Sequence, residues 1–280
     1  MDMSRRVVSG VCAIGVGMLV LSGCDGFQLT SSNFTDSTDL TQQVGTVRLN
    51  TGSGNVIVRT GSTASVRRTV HYRQNDKPGQ THRVEGDTLV LDDCPQRNCS
   101  VDYEVTLPAA AKIMGQLGSG EIDITGMSEV GVRTGSGDVR VRDISGPVTA
   151  TAGSGEIQLT NLQKSAVVEV GSGDIRMTDV KGDVTALSRS GEVTASAISG
   201  KASVESGSGD VRVDMATAQN VKVSARSGGI TVTVPRGQAY KTNVVTSSGE
   251  KTVNVDTSQE APYLLDLEAS SGNIQVDYRG

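Results

Sequence analysis

Residues 118–138 read GSGEIDITGMSEVGVRTGSGD. The stretch opens and closes with Gly-Ser-Gly followed by an acid, and this pattern recurs along the chain. A Ser-Gly pair followed by an acid returns with its serine at 119, 136, 154, 172, 190 and 208, so the steps are 17, 18, 18, 18 and 18 residues. Looser copies follow at Ser227, Ser248 and Ser271, and one earlier copy lies at Ser53. A nearly fixed period of this length predicts a repeat protein.

Apolar residues occupy the same places in each repeat. The third and fifth residues after the serine are apolar and flank a polar residue, as in Val139 and Val141 or Ile157 and Leu159. Another apolar residue lies eight positions after the serine, and a second alternating run ends just before the next Ser-Gly pair. Alternation with a period of two indicates strands with one buried face. Each repeat is therefore predicted to form a strand, a bend, a second strand and a turn.

One repeat cannot bury its apolar side chains alone, whereas stacked repeats share a continuous core. We therefore predict an all-β fold, a β-solenoid of the single-stranded β-helix type. Each of its turns, called rungs below, has about 18 residues and two strands. The glycine after each serine is expected to adopt a positive φ, which glycine tolerates without steric cost. Glycines 146, 182 and 200 are expected to do the same at the opposite bend.

The regular spacing is interrupted between Ser53 and Ser119. Val44 to Arg59 matches one rung, but the next residues form longer strand-like runs between loops rich in Asn, Asp, Pro and Gly. An open solenoid end would present unpaired strand edges. Residues 44–116 are therefore predicted to comprise the first rung and an antiparallel β cap region, and residues 117–280 the solenoid. The larger apolar residues of the last copy are predicted to close the far end.

The first 24 residues have the pattern of a bacterial export signal. Arg5 and Arg6 precede an apolar run, which is too short to span a bilayer comfortably and ends in Leu-Ser-Gly-Cys at Cys24. This ending matches the lipobox of bacterial lipoproteins. Residues 1–23 are therefore predicted to be a signal peptide, and Cys24 to be acylated and to anchor the chain on the extracytoplasmic face of the cell membrane. Residues 24–43 are polar and are predicted to form a flexible tether.

Cys94 and Cys99 are the only cysteines of the predicted folded part. Three interpretations are open: a disulfide, half of a metal site, or a redox pair. Export favours the disulfide. A metal site would need further ligands, and the chain has only two histidines, His71 and His82. Redox pairs usually have two intervening residues, and here there are four.

Composition and repetition also limit the chemistry. The net charge of −5 gives no basic footprint for nucleic acid, so nucleic acid is discarded as a partner. With no Trp, two Phe and five Tyr, the core must be built from aliphatic residues. A nucleophilic serine needs its own base and oxyanion site, which a whole series of similar Ser-Gly corners cannot each have. We therefore predict no catalytic residues and no cofactor, and the sequence identifies no small-molecule substrate.

The acids that follow the Ser-Gly pairs are predicted to stack as one acidic column. Like charges at rung spacing repel each other. Solvent, nearby arginines, backbone N–H groups of the turn or a bound cation would offset the repulsion. Calcium-binding solenoids place their aspartate one residue later than it lies here, so no metal ligands are assigned, although calcium remains an alternative. The column comprises Glu121, Asp138, Glu156, Asp174, Glu192 and Asp210.

The lipobox, the strand Tyr-Glu-Val-Thr-Leu-Pro at residues 103–108 and the serial S-G-D/E-[VI]-x-[VL] copies together resemble a family of bacterial β-strand-repeat lipoproteins. The family is a domain of unknown function labelled "putative adhesin", and the likeness is to actinobacterial members in particular. It covers roughly residues 44–280.

This resemblance implies a membrane-anchored, non-enzymatic binding or structural module of the cell envelope. The bilayer would be its partner through acylated Cys24, and an envelope protein or cell-wall polymer would be its ligand. Two alternatives remain open: a polysaccharide-active β-helix enzyme, and an accessory protein of an envelope sensing system.

Overall fold

The computed structural model describes residues 32–73 and 77–280. These residues form 25 strands in two sheets, one of 13 strands and one of 12, and they contain no helix. The strands of the repeats are parallel, and the two sheets enclose one hydrophobic cluster that runs from Val44 to Val276. The predicted all-β solenoid is confirmed.

Seven strands precede the regular repeats. They are β1 (Ser32–Asp39), β2 (Thr46–Ser53), β3 (Val56–Thr60), β4 (Ser65–Tyr72), β5 (His82–Glu85), β6 (Thr88–Asp92) and β7 (Ser100–Leu107). The regular rungs follow as pairs: β8 (Lys112–Ser119) with β9 (Ile122–Thr125), β10 (Glu129–Ser136) with β11 (Val139–Ile144), β12 (Val148–Ser154) with β13 (Ile157–Leu162), and β14 (Ala166–Ser172) with β15 (Ile175–Val180). The next pairs are β16 (Val184–Ser190) with β17 (Val193–Ile198), β18 (Ala202–Ser208) with β19 (Val211–Met215), and β20 (Val221–Ser227) with β21 (Ile230–Val234). The last strands are β22 (Lys241–Ser248), β23 (Lys251–Val253), β24 (Leu264–Ser271) and β25 (Ile274–Tyr278).

Neighbouring rungs align serine on serine. Ser136 of β10 pairs with Ser154 of β12, and Ser154 pairs with Ser172 of β14. The first strand of each rung belongs to the 12-stranded sheet and the second to the 13-stranded sheet. Because the register is constant, each predicted apolar position becomes a column of buried side chains, as in Val141, Leu159 and Met177.

The order of the rungs in space departs from their order in the chain at both ends. At one end the sheets run β20-β24-β22 and β21-β25-β23, so the last copy lies inside and β22 and β23 are outermost. The prediction that the last copy closes this end is therefore wrong. Leu265 and Leu267 of β24 are fully buried, whereas the aligned Thr242 and Val244 of β22 are only half-buried. Burying the two leucines removes more apolar surface from water.

At the other end, β6 and β7 form an additional parallel rung outside β2 and β3, which the sequence did not predict. Beyond them, β5 pairs antiparallel with β6, and β4 pairs antiparallel with β7. This end is therefore closed by antiparallel strands, as expected for the cap region.

Strand β1 corrects the prediction of a flexible tether. Residues 32–39 pair antiparallel with β4 along their whole length, and the Phe34 ring packs edge-on against Tyr72 at 6.0 Å. Hydrogen bonding and this aromatic contact order a segment that looked too polar to fold. The prediction of a tether is wrong for these residues, while residues 24–31 and the predicted signal peptide lie outside the described residues.

The two bends of a rung use different residues to turn. The glycine after the serine has a positive φ, as predicted, for example 131° at Gly191. At the opposite bend the positive φ falls on the seventh residue after the serine, namely Gly126, Asp143, Asn161, Asp179 and Ala197. The expectation that glycines 146, 182 and 200 adopt it is wrong. These glycines instead lie against the preceding rung, where a Cβ would collide with the backbone.

Candidate functional site

Two adjoining depressions, of about 710 and 680 Å³, lie on the outer face of the 12-stranded sheet near its capped end. They share the side chains of Asn50, Gln116, Arg133 and Thr151, which point outward from β2, β8, β10 and β12. We call this surface the outer groove. It crosses the strands, so a bound chain would run along the solenoid axis.

A strip of glycines forms one side of the outer groove. The residue before the corner serine is glycine in five neighbouring rungs: Gly52, Gly118, Gly135, Gly153 and Gly171. A Cβ at Gly135 would lie 2.6 Å from the carbonyl oxygen of Gly118, so a side chain there would require the two rungs to shift. At about 4.8 Å per rung, the strip is about 20 Å long. Asp93 and Arg189 lie at its two ends.

The other walls of the outer groove carry hydrogen-bonding groups. The amide of Asn50 donates to Asp92 at 3.2 Å, and Arg83 forms ion pairs with Asp92 and Glu85. Within the described part of the chain, the guanidinium of Arg133 has no hydrogen bond or ion pair and is available to a ligand. Amide, hydroxyl and guanidinium groups beside bare backbone suit an extended polar ligand.

One apolar side chain also lies in the outer groove. Met114 is 41% exposed, and its thioether covers the position where a side chain at Gly131 would project. Methionine adapts its shape to what it contacts because its side chain is unbranched and polarisable. The groove therefore offers one deformable apolar contact among its polar groups.

The acidic column forms as predicted, and aspartate and glutamate have different roles in it. Each aspartate accepts a hydrogen bond from the backbone N–H of the next rung, at 2.9 Å from Asp138 to Glu156 and at 2.9 Å from Asp174 to Glu192. Each of the three glutamates instead pairs with an arginine of the next rung, in the pairs Glu121–Arg140, Glu156–Arg176 and Glu192–Arg212. Backbone N–H groups and arginines thus offset the repulsion.

The ion pairs raise the pKa values of two arginines of the column. The hydrogen bond that Arg140 donates to Glu121 raises the pKa of its guanidinium, and the bond that Arg176 donates to Glu156 does the same for Arg176. Nowhere in residues 32–73 and 77–280 do three or more His, Cys, Asp or Glu side chains gather as a potential metal site. The contacts of the column are hydrogen bonds and ion pairs between neighbouring rungs.

Cys94 and Cys99 form a disulfide with their Cα atoms 5.8 Å apart, as predicted. The bridge closes the loop between β6 and β7 in the outermost parallel rung at the capped end. It follows Asp93, which lines the end of the outer groove. The disulfide thus stabilises the loop on which this end of the groove is built.

Cys24, the predicted acylation site, lies outside the described residues. Among the residues that are described, no helix is long and apolar enough to cross a membrane.

A buried polar cluster at the capped end was not predicted from the sequence. Arg68 is almost fully buried and donates to both oxygens of Asp36, at 2.7 and 2.8 Å, and to Thr81 Oγ1 at 3.0 Å. The Tyr103 hydroxyl donates to the carbonyl of Thr81 at 2.6 Å, and burial raises the pKa of this phenol to about 12. We call these residues, together with His82, the cap cluster.

His82 is the member of the cap cluster whose polar atoms lack partners. Its side chain is 5% exposed, and neither ring nitrogen forms a hydrogen bond with any described residue. Burial, and then the charge of Arg68, lower the pKa of His82. The other histidine, His71, lies at the surface 3.0 Å from Asp102.

The fold and the outer groove define a parallel β-solenoid of the repeat class with a shallow polar groove on one sheet. The chain belongs to the Toastrack DUF4097 family, whose family model matches residues 44–277. A search of curated proteins finds no match.

Several solved structures are similar in fold. One, described as a "putative adhesin" from Bacteroides fragilis, is 12% identical, with 91% of this chain and 100% of that chain covered and a TM-score of 0.39. A "putative adhesin" from Parabacteroides distasonis is 13% identical, with 87% and 97% covered and a TM-score of 0.40. A "putative cell adhesion protein" from Clostridium sporogenes is 14% identical, with 89% and 100% covered and a TM-score of 0.33.

Proposed function

We propose that this protein is a lipid-anchored, non-enzymatic binding module of the cell envelope, whose outer groove holds an extended polar polymer of the cell wall. The outer groove carries the proposal. It is long and shallow, it lies across several rungs, and its polar groups are spread along its length. A polymer with many weak hydrogen-bonding groups fits such a surface better than a small molecule, which needs an enclosing pocket.

A steric block in the outer groove tests this proposal. Thr151 lines both depressions, so Thr151→Arg fills the groove without altering the glycine strip or the core. Thr178→Arg is the matched control, because Thr178 is an exposed threonine on the outer face of the other sheet. The measurement is co-sedimentation of the full-length chain, in mild detergent, with purified wall sacculi and their attached polymers.

We expect the wild type and Thr178→Arg to bind equally, and Thr151→Arg to bind about tenfold more weakly, a loss of about 1.4 kcal/mol. If the wild type does not co-sediment, or if Thr151→Arg binds as well as the wild type, the outer groove is not the binding site for wall polymer.

The lipid anchor is proposed from the sequence motif at Cys24. Covalent acyl chains contribute membrane affinity in proportion to the CH₂ groups that they bury. Metabolic labelling with a palmitate analogue should mark the wild type, and Cys24→Ala should lose both the label and its place in the membrane fraction. Retention of the label in Cys24→Ala would disprove acylation at this residue, independently of the groove.

A further inference from the structure

The end of the solenoid formed by β22 and β23 is covered only in part. Just before β22, Tyr240 is buried and its backbone bonds to Asp256 and Ser258, whereas β22 and β23 themselves form the edges of the two sheets. Within the part of the chain that the structure describes, each of these strands has a hydrogen-bonded neighbour on one side only. Val244 aligns with the fully buried Leu267 of β24, yet Val244 itself is only partly buried, as is Val253 of β23. Apolar core positions and unpaired backbone groups thus face outward together.

The sequence of β22 does nothing to protect this edge. Natural sheets protect edge strands with short length, charges, proline or bulges. Strand β22 has eight residues, contains no proline, and carries its single charge at its first residue, Lys241. Its outward-facing Val245 is 47% exposed. The other edge strands differ from β22, because β5 and β23 have only four and three residues and carry charges, and β1 carries Asp36 and Asp39.

We propose that a second copy of this chain docks on this end, edge to edge, with antiparallel pairing of β22 with β22 and of β23 with β23. A two-fold axis normal to both sheets maps each sheet onto itself and reverses the strand direction. Both sheets and the core then continue from one copy into the other. One added strand from an unrelated protein would satisfy only one of the two edges, which is why we favour a second copy.

The pleat allows registers centred on any residue of β22, and the charges favour one of them. Opposed residues of an antiparallel pair must lie on the same face of the sheet, so pairing can centre on Val245 with Val245 of the second copy. Val244 then lies opposite Thr246, and Lys241 opposite Gly249 of the second copy. Lys241 is thereby brought next to Glu250 of the second copy, a charge of opposite sign. The capped ends stay outermost, so pairing stops at two copies.

Disulfide trapping tests the register directly. Val245→Cys, in the full-length chain in mild detergent, should form a disulfide-linked dimer under a mild oxidant, because the two residues meet at the axis. Val167→Cys is the matched control: Val167 is 46% exposed, points outward from the same sheet, and lies in the middle of the solenoid. We expect at least about fivefold more covalent dimer for Val245→Cys, since proximity raises the effective concentration of a thiol.

Light scattering tests the association without cysteine chemistry. The wild type should have the mass of a dimer, and Val245→Asp should be monomeric, because it places two like charges on the axis. A circular dichroism spectrum equal to that of the wild type would show that Val245→Asp is folded. A monomeric wild type, or equal crosslinking of Val245→Cys and Val167→Cys, would overturn the proposal, whatever the outcome at the outer groove.

Discussion

At the scale of single residues, the glycine after each corner serine lies so close to the neighbouring rung that no side chain fits. Gly191 has a φ of 131°, and a Cβ there would collide with the carbonyl oxygen of Gly173. Two effects therefore require glycine: a backbone conformation that L-residues avoid and a rung spacing fixed by hydrogen bonds. Gly237 shows the first effect alone, because its φ is 95° but no atom lies within 4 Å of the place that a Cβ would occupy.

Comparison of two alanine substitutions separates these effects. Gly237→Ala should cost about 1 kcal/mol of unfolding free energy, from backbone strain alone. Gly191→Ala should cost about 3 kcal/mol or more, because strain is joined by overlap with a backbone that cannot move aside. Urea denaturation of both variants and the wild type measures the difference. Equal losses for the two variants would show that crowding between rungs contributes nothing.

The opposite bend shows where residue-level prediction fails. The Ser-Gly corner could be predicted because the same glycine recurs in every rung. At the other bend, aspartate or asparagine adopts the positive φ at 143, 161 and 179, and both residue types tolerate that conformation. Ala197 adopts it with no such advantage, held by its neighbours in the stack. The turn position is marked in the sequence, seven residues after the serine, by Gly126, Asp143, Asn161 and Asp179, and Ala197 alone lacks this signal.

At the scale of elements, the acidic column divides its tasks between two kinds of acid. Arg176 binds both Asp174 of its own rung and Glu156 of the preceding rung. The carboxylate of Asp174, which lies in the turn, also accepts a hydrogen bond from the backbone N–H of Glu192. The alternation of aspartate and glutamate in the sequence thus follows a period of two rungs, which the arginines at 140, 176 and 212 share.

This division predicts unequal effects of two substitutions in the same column. Glu156→Ala loses only a partly exposed ion pair with Arg176, which is worth about 0–1 kcal/mol. Asp174→Ala loses a contact with the same arginine and also the bond to the Glu192 N–H, and should cost about 1 kcal/mol more. The measurement is the shift of the urea midpoint. A larger loss for Glu156→Ala would contradict the assigned roles.

The order of the strands could be predicted only where the rungs are regular. Between Ser119 and Ser227, sequence order and spatial order agree, because each rung buries its neighbour equally well. At both ends two neighbouring rungs exchange places relative to their order in the chain. Which of the two lies inside depends on how much apolar surface each one buries there. Leu265 and Leu267 gain more from an inner place than Thr242 and Val244 do. The repeat period alone does not show which rung gains more from burial.

At the scale of the whole molecule, the two ends of the solenoid are built differently. The end at β22 and β23 presents open edges, whereas the end at β1, β4 and β5 is closed around the cap cluster. Arg68 of β4 reaches Asp36 of β1 and Thr81, so one side chain joins the outer strands. The outer groove lies next to this closed end, since Asn50 and Asp92 belong to its first rungs. The stability of the cap therefore affects the proposed binding face.

His82 makes the stability of that end depend on pH. Burial and the charge of Arg68 lower the pKa of His82 in the folded chain, while the nearby Asp36 opposes the shift. In the unfolded chain a histidine titrates near pH 6.5. The unfolded state therefore takes up a proton first as the pH falls below about 6.5, and the free energy of unfolding should decrease by up to about 1.4 kcal/mol per pH unit until His82 is itself protonated in the fold. The hydrogen bond from Arg68 lowers the pKa of Asp36. The stability that ionised Asp36 contributes to the fold is therefore lost only at a more acidic pH, below about 4.

Urea denaturation between pH 8 and pH 5 measures this dependence without involving Asp36. We expect the wild type to lose stability over this range and His82→Gln, which cannot take up the proton, to lose less. His71→Gln is the matched control, because it removes the other histidine, which lies at the surface beside Asp102, and it should keep the pH dependence that His82 causes. If His82→Gln and the wild type show the same slope with pH, the buried imidazole does not control the closed end. If the slopes differ as expected, mildly acidic conditions would loosen the cap before they affect the regular rungs, because both histidines lie outside the rungs from Ser119 onward.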